Sequence, residues 1–395
     1  MKYFIVSLIV VIIFVTVFFS FISLVNGKTQ NIQLIYKTAN SVTLKWEKKS
    51  QALGYQVRVI KVKNNKLIKK VFTKNNTRKI KDLKPNTTYK FKIRPKYKNQ
   101  YGNNKSIKVH TDNIKFGFWG LNGYDTADGY NYVENNFNST VYQVYSSGPN
   151  YNLNTLLPMV ENANMKVSLN ITGNYSDFDD AEGNFDITLW ENALDHYFNN
   201  PDISAATQEY IDNDIVVGIM LLDDIYNFTG ADPTAQELEQ MACDMKSHIN
   251  VMTWVREDIN ENLILPNGSF KFSCLDAIGL QYSTRKGSMA DYITNQQQAA
   301  DNLNLDIIAG LNIADGGNGS SGQQGWSGSG YYAMSANEIT TYGEAMLNGM
   351  DNVIMFLMWE YDGVEHWPDG TIGSDYFNQP DLRQALYNLG KLAAE

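Results

Sequence analysis

The sequence predicts two modules of different class, a small all-β sandwich followed by an α/β barrel of the (β/α)8 type. Three observations carry this. Lys28 to Asp112 holds 23 Lys and Arg against 3 acids, whereas Asn113 to Glu395 holds 9 against 39. A change of sign this sharp near Thr111-Asp112-Asn113 marks a boundary that the overall charge of −9 conceals. The basic segment alternates apolar and polar residues with a period of two between Asn-, Lys- and Gly-rich turns, as short strands do. The acidic segment alternates strand-like with helical runs, the mark of βαβ units and a parallel sheet, and its length suits a barrel of typically about 250 residues.

With 395 residues and 43% hydrophobic composition, the chain can bury two cores and is too apolar for general disorder. Tyr3 to Val25 is a nearly unbroken apolar run behind Lys2, and Val25-Asn26-Gly27 offers small residues suited to signal-peptidase cleavage. The run is also long enough to cross a bilayer, which takes about 20 residues. Residues 1–27 are therefore expected to be an export signal or an uncleaved anchor. In either case residues 28–112 and 113–395 lie outside the cytosol, secreted or tethered to a membrane.

Two cysteines, Cys243 and Cys274, exclude a disulfide-stapled scaffold and a cysteine metal cluster. On the helix expected from Thr234, the stripe Leu238, Met241, Met245, Ile249 and Met252 puts Cys243 on the opposite face, which favours two free thiols. The histidines, His110, His196, His248 and His366, show no paired ligand spacing, so no metal site is expected. No organic cofactor is implied. Nine Asn-x-Ser/Thr sequons, Asn86, Asn170 and Asn318 among them, are glycosylation acceptors in a suitable secretory pathway, although an Asn-rich chain produces many by chance.

In Tyr89-Lys-Phe91-Lys-Ile93-Arg94 a two-residue period places the rings and Ile93 inward and leaves Lys90, Lys92 and Arg94 as an outer cationic stripe. Ser41-Val-Thr-Leu-Lys-Trp46, Gly54-Tyr55-Gln-Val57 and Leu83-Lys-Pro85-Asn-Thr-Thr-Tyr89-Lys-Phe91 resemble a fibronectin type III domain, with Trp46 as its core tryptophan and Tyr89 as its corner tyrosine. The resemblance spans about 80 residues and implies a fold rather than a function. Two roles stay open for the module: a soluble spacer, or adhesion to an anionic polymer or surface. Rings interleaved for base stacking are not evident, so no specific nucleic-acid recognition is expected.

In the acidic module strands are expected at 116–121, 140–145, 166–172, 216–222, 277–282, 306–313 and 353–359. Capping boxes at Thr234-Ala-Gln-Glu237 and Ser335-Ala-Asn-Glu338 start two helices. The fifth strand is missing from this set. Phe270 to Cys274 could supply it, but too close to the next strand for an intervening helix, so the barrel is expected to be irregular there. Polar residues on barrel strands face the lumen, which orients Ser168, Asn170, Thr172 and Asn312 inward.

Acids gather at the C-terminal ends of the strands, where such barrels carry their sites. Val216 to Leu222 runs into Asp223-Asp224, and Val353 to Trp359 runs into Glu360-Tyr361-Asp362, with Asp315 beyond Asn312 on the strand between. Adjacent side chains on a strand point opposite ways, and Asp224, nearer the rim, is the expected lumenal acid. Glycoside hydrolysis needs one carboxyl to protonate the leaving oxygen and a second to attack or activate water. The candidate catalytic residues are thus Asp224, Asp315, Glu360 and Asp223. Trp119, Tyr282, Asn312, Trp326, Trp359, Tyr361 and Asp362 are candidate substrate contacts, the rings as flat platforms for sugars.

These strand ends resemble the glycoside-hydrolase-like (β/α)8 barrels. Gly218 to Asp224 is similar to their fourth strand ending in an acid/base, Asp276 to Tyr282 to the sixth with its tyrosine, Trp359 to the eighth-strand platform, and Gly310 to Gly317 lies where the seventh-strand nucleophile would stand. The resemblance implies a polysaccharide or glycan substrate. Asp224 and Asp315 depart from the usual glutamate pair. The alternative is a barrel that only binds a glycan or a protein. Two further stretches read as loops: Asp177 to Asp186, acidic but without the spacing of a calcium loop, and the Gly-rich Asp315 to Gly330, a mobile rim loop with Trp326 as a sugar clamp.

Overall fold

The computed structural model describes residues 32–119, 139–143, 153, 157–158, 160–162, 164–173, 175–260, 263, 269–359 and 367–395. The apolar run 3–25 lies outside them; among the described residues no helix is long and apolar enough to cross a membrane. The chain separates into two compact units, and more than one cut divides them. Segments 43–79 and 88–110 make up most of the first, while 36–42, 80–87 and the chain from Thr111 onward group in the second.

Seven strands build the sandwich: β1 (Ile32–Lys37), β2 (Val42–Trp46), β3 (Gly54–Lys61), β4 (Lys66–Thr73), β5 (Thr77–Ile80), β6 (Thr88–Lys96) and β7 (Lys105–His110). They form a three-stranded sheet, β1-β2-β5, and a four-stranded one, β4-β3-β6-β7. Along β6 the period of two holds from Thr88 to Arg94, with Tyr89, Phe91 and Ile93 buried and the cations between them more exposed. Trp46 is buried, with its ring 5.5 Å from that of Tyr55 in an edge-on contact.

Eight parallel strands close into a barrel: β8 (Lys115–Trp119), β9 (Ser139–Gln143), β10 (Lys166–Asn170), β11 (Val216–Leu222), β12 (Thr253–Arg256), β13 (Ala277–Gly279), β14 (Asp306–Ala309) and, after the hairpin β15 (Gln324–Gly325) and β16 (Gly328–Tyr332), β17 (Val353–Met358). The helices whose ends lie among the described residues are α1 (Ile187–Phe198), α2 (Pro201–Asp212), α3 (Ala235–His248), α4 (Met289–Leu303), α5 (Ala336–Gly349), α6 (Gly373–Phe377) and α7 (Pro380–Ala394). Both expected capping boxes form, Thr234 with Glu237 and Ser335 with Glu338.

Strand residues divide between two apolar clusters almost one by one. Trp254, Ala277, Ile308, Met355 and Leu357 belong to a small lumenal cluster, whereas their neighbours Val255, Ile278, Ile307, Phe356 and Met358 join the large layer beneath the helices. The indole N–H of Trp254 donates to Ser168 Oγ at 2.7 Å, so this polar edge in the lumen is satisfied by an inward serine.

Two expectations need correction. The fifth strand is Thr253–Arg256, not Phe270 to Cys274; the apolar spacing of Ile249 and Met252 mimics a continuing helix, but α3 ends at His248. Asp276 anchors this junction, accepting from the Thr253 backbone N–H at 3.1 Å and pairing with Lys246 at 2.6 Å. The cysteines are not free thiols. Cys243 and Cys274 form a disulfide with Cα atoms 5.0 Å apart. The face of α3 turned away from the main apolar stripe is met by an irregular segment. There the Glu239 carboxylate accepts backbone N–H groups of Ser273 (2.8 Å), Cys274 (3.0 Å) and Leu275 (3.1 Å).

Two stability tests arise from these features. The bridge closes a loop with a sequence separation of 31, for which chain entropy gives about 3 to 4 kcal/mol; Cys274→Ser should lose an amount of this order in urea denaturation. Burial pushes the Tyr197 phenol up to about 12, partly offset by its hydrogen bond with Thr207. A phenol in the unfolded chain releases its proton near pH 10, so the contribution of the neutral group is complete below about pH 10 and is lost as pH rises toward 12. Denaturant midpoints measured from pH 8 to 11.5 should fall less steeply for Tyr197→Phe than for the parent.

Candidate functional site

The C-terminal ends of β11, β12 and β13 carry a charged constellation. Between Met220 and Leu222 the pairing of β11 with β12 shifts register, so Met220 stands opposite Trp254 but Leu222 stands opposite Val255. Trp254 is lumenal and Val255 lies under the helices. A bulge of this kind moves the following residues to the other face. Asp223 rather than Asp224 therefore continues the register opposite Arg256, which corrects the simple alternation. Asp224 turns away on left-handed backbone with φ 48°, a conformation Asp tolerates better than most residues.

Arg256 joins the two acids. Its Nε donates to Asp223 and its Nη2 to Asp224, while Nη1 lies 3.4 Å from Gln281 Oε1. Asp223 is only 9% exposed, and Asp224 is partly open. The two carboxylates thus flank a guanidinium instead of sharing a site as like charges alone. Next along the chain, Asp258 accepts from the Tyr292 hydroxyl at 2.5 Å and pairs with Lys286 at 2.6 Å. Burial, reinforced by Asp258, keeps the Tyr292 phenol well above its ordinary pKa, so it remains a donor. Burial and then Glu257 act the same way on Tyr226. Gln296 of α4 clamps the loop through both backbone groups of Ile259, at 2.8 and 3.1 Å.

A second group sits at the ends of β14 and β17. Asn312 bridges to Trp359, and its side chain accepts the backbone N–H of Asp315 at 2.7 Å. Asp315 is 3% exposed, and both carboxylate oxygens serve Ser327: one takes the backbone N–H at 2.9 Å, the other the hydroxyl at 2.5 Å. Arg285 donates to the Asp315 carbonyl and lies 4.6 Å from the Tyr331 ring centre. The Gly-rich stretch is thereby folded into the β15-β16 hairpin, not left as an open loop. Its Trp326, 41% exposed, meets Trp359 edge-on with ring centres 5.4 Å apart.

The other candidates fall elsewhere. Tyr282 is 2% exposed and donates its hydroxyl to the Gly287 carbonyl at 2.7 Å, with Tyr292 and Tyr342 against its ring. It is a wall residue, because its hydroxyl is already used beneath the rim. Trp119 ends β8 in register with Val141. Glu360, Tyr361 and Asp362 lie outside the described residues. In the acidic loop 177–186, the side-chain and then the backbone donor of Asn184 hold the Asp180 carboxyl below its ordinary range, and Asp186 caps α1. The residues missed in the sequence are Arg256, Gln281 and Ser327. Only Arg256 left a signal, as the charged end of the alternating Thr-Trp-Val-Arg run.

Among curated proteins none matches this chain. The family model of the fibronectin type III domain matches residues 27–112. Of solved structures, the fn3 domain of human collagen alpha-1(XX) is 19% identical with a TM-score of 0.20, covering 21% of this chain and 81% of that one. The FN1-FN3 domains of chicken CNTN1 are 20% identical with a TM-score of 0.19, covering 20% and 29%. A β-glucuronidase from Ruminococcus gnavus is 10% identical with a TM-score of 0.40, covering 85% of this chain and 62% of that one, so the chain spans about three fifths of its length. Residues 27–112 thus carry a fibronectin type III domain, ahead of a (β/α)8 barrel.

Proposed function

We propose that the chain is an exported carbohydrate-active protein whose barrel hydrolyses a glycosidic bond of a polysaccharide or glycan. The observation that carries this reading is the Asp223-Arg256-Asp224 group at the C-terminal rim, where (β/α)8 enzymes place their chemistry. Trp326, partly exposed and braced edge-on by Trp359, offers a flat apolar face of the kind sugar rings need. Asp224, the more open of the two acids, is assigned as acid/base, and Asp223 with Arg256 as the group that orients it. Asp315 is a weaker choice for the second carboxylate because Ser327 occupies both of its oxygens. That role passes to Glu360, the residue after Trp359 in the sequence.

The alternative is a barrel that binds a glycan without cleaving it, and one observation favours it: an acid held by a guanidinium is less free to give or take a proton. A glycan library scored for reducing ends and for binding separates the two. Asp224→Asn should lower turnover of a responsive glycan by about 100- to 10,000-fold, the range of general acid–base catalysis, with the circular dichroism spectrum unchanged. Trp359→Ala should raise KM more than it lowers kcat. Binding by the parent without cleavage of any glycan would establish the alternative, and unchanged turnover in Asp224→Asn would remove that residue from the mechanism.

A further inference from the structure

The outer face of the sheet β4-β3-β6-β7 is a field of cations, and none of its four strands contains an acid. Along β6 the outward residues are Lys90, Lys92 and Arg94. Register places Lys90 opposite Lys108 of β7, Lys92 opposite Arg58 of β3, and Arg58 in turn opposite Lys70 of β4. Paired strands lie about 4.8 Å apart and same-face residues along a strand about 7 Å apart. Six cations thus occupy a patch two or three positions wide in each direction. Like charges directly opposite one another destabilise a sheet. Solubility does not require them in this arrangement, since scattered or mixed charges serve it as well.

The patch is partly preorganised. Arg94 donates from Nε and Nη2 to Gln56 Oε1 at 3.1 and 2.9 Å, and its guanidinium lies 4.0 Å from the Tyr101 ring centre. Arg58, in the middle of the row, has a buried Nε with no hydrogen-bond partner among the described residues. We propose that this sheet face is the docking surface for a linear acidic polysaccharide, whose carboxylate or sulfate groups offset the opposed cations. A chain bearing an anion on successive sugars engages several rows through one tethered molecule, so each contact after the first is intramolecular. Lysine ammonium groups, compact charges on flexible stems, suit spaced single anions. Nucleic acid fits less well, because in the rows of Lys90, Lys92, Arg58, Lys70 and Lys108 no ring alternates with the cations for bases to stack on; Tyr101 and Phe72, 39% and 49% exposed, stand at one end beside Arg94 and Lys96. The proposal is independent of the barrel's chemistry and stands if the barrel is inert.

The test measures binding of the full chain to polygalacturonate for carboxylates, dextran sulfate for sulfates, an oligodeoxythymidylate and phosphatidylserine-containing vesicles. At least one of the two polysaccharides should bind, and its affinity should fall at least about tenfold between 50 and 200 mM salt, as expected for several released counterions. Lys90→Gln/Lys92→Gln/Lys108→Gln should weaken that binding at least about tenfold at 50 mM salt, while its thermal midpoint stays level or rises. Lys45→Gln/Lys48→Gln/Lys74→Gln, an equal charge change at exposed positions off this face, should remain within about twofold of the parent. An equal loss in this control would reduce the effect to net charge and overturn the assignment. So would tighter binding to the oligonucleotide or the vesicles, binding to neither polysaccharide, or a fall in the midpoint of the first variant.

Discussion

Alternation of side chains between a packed lumen and the layer beneath the helices is the constraint on which the second unit depends. A closed ring of strands has no edge, so each strand residue must fill either the inside or the outside, and both must be packed. Trp254 is the largest piece of the inner filling, and it is accommodated because Ser168 receives its N–H and Gly279 leaves room against its ring. A side-chain carbon at Gly279 would come within 2.7 Å of that ring. With the interior closed off in this way, polar groups are displaced to the strand ends, where Arg256, Asp223 and Asp224 meet.

Much of this was legible in the sequence because it is written locally. The buried rings and outer cations of β6 repeat every two residues, and the capping boxes of α3 and α5 need only four consecutive positions. The fifth strand was hidden because it is four residues long and is preceded by Ile249 and Met252, whose spacing prolongs the helical stripe. The disulfide was hidden for a different reason: a helix face pointing away from the main core is exposed only if no other segment crosses it. In this molecule Phe272 and its neighbours do, held by Glu239.

The candidate site divides along the same line. That acids gather after Leu222 could be read from the chain, because a buried-type strand followed by two carboxylates is a one-dimensional pattern. Which acid continues the lumenal register could not, since it depends on pairing with a strand some thirty residues later. The same holds for Asp315: its position on the rim follows from the strand order, but its engagement with Ser327 requires the chain to double back as a hairpin.

The register shift in β11 has an evolutionary corollary. Flattening the bulge at unchanged length would turn Leu222 to the lumen, Asp223 outward and Asp224 inward, exchanging which of two neighbouring aspartates addresses the interior, whereas deleting Leu221 would leave Asp223 opposite Arg256. A lineage could therefore trade one acidic side chain for the other by gaining or losing the bulge, with no change of length. Alignments that insist on one invariant column for this position would then register a lost residue where the chemistry had merely moved one place along the backbone.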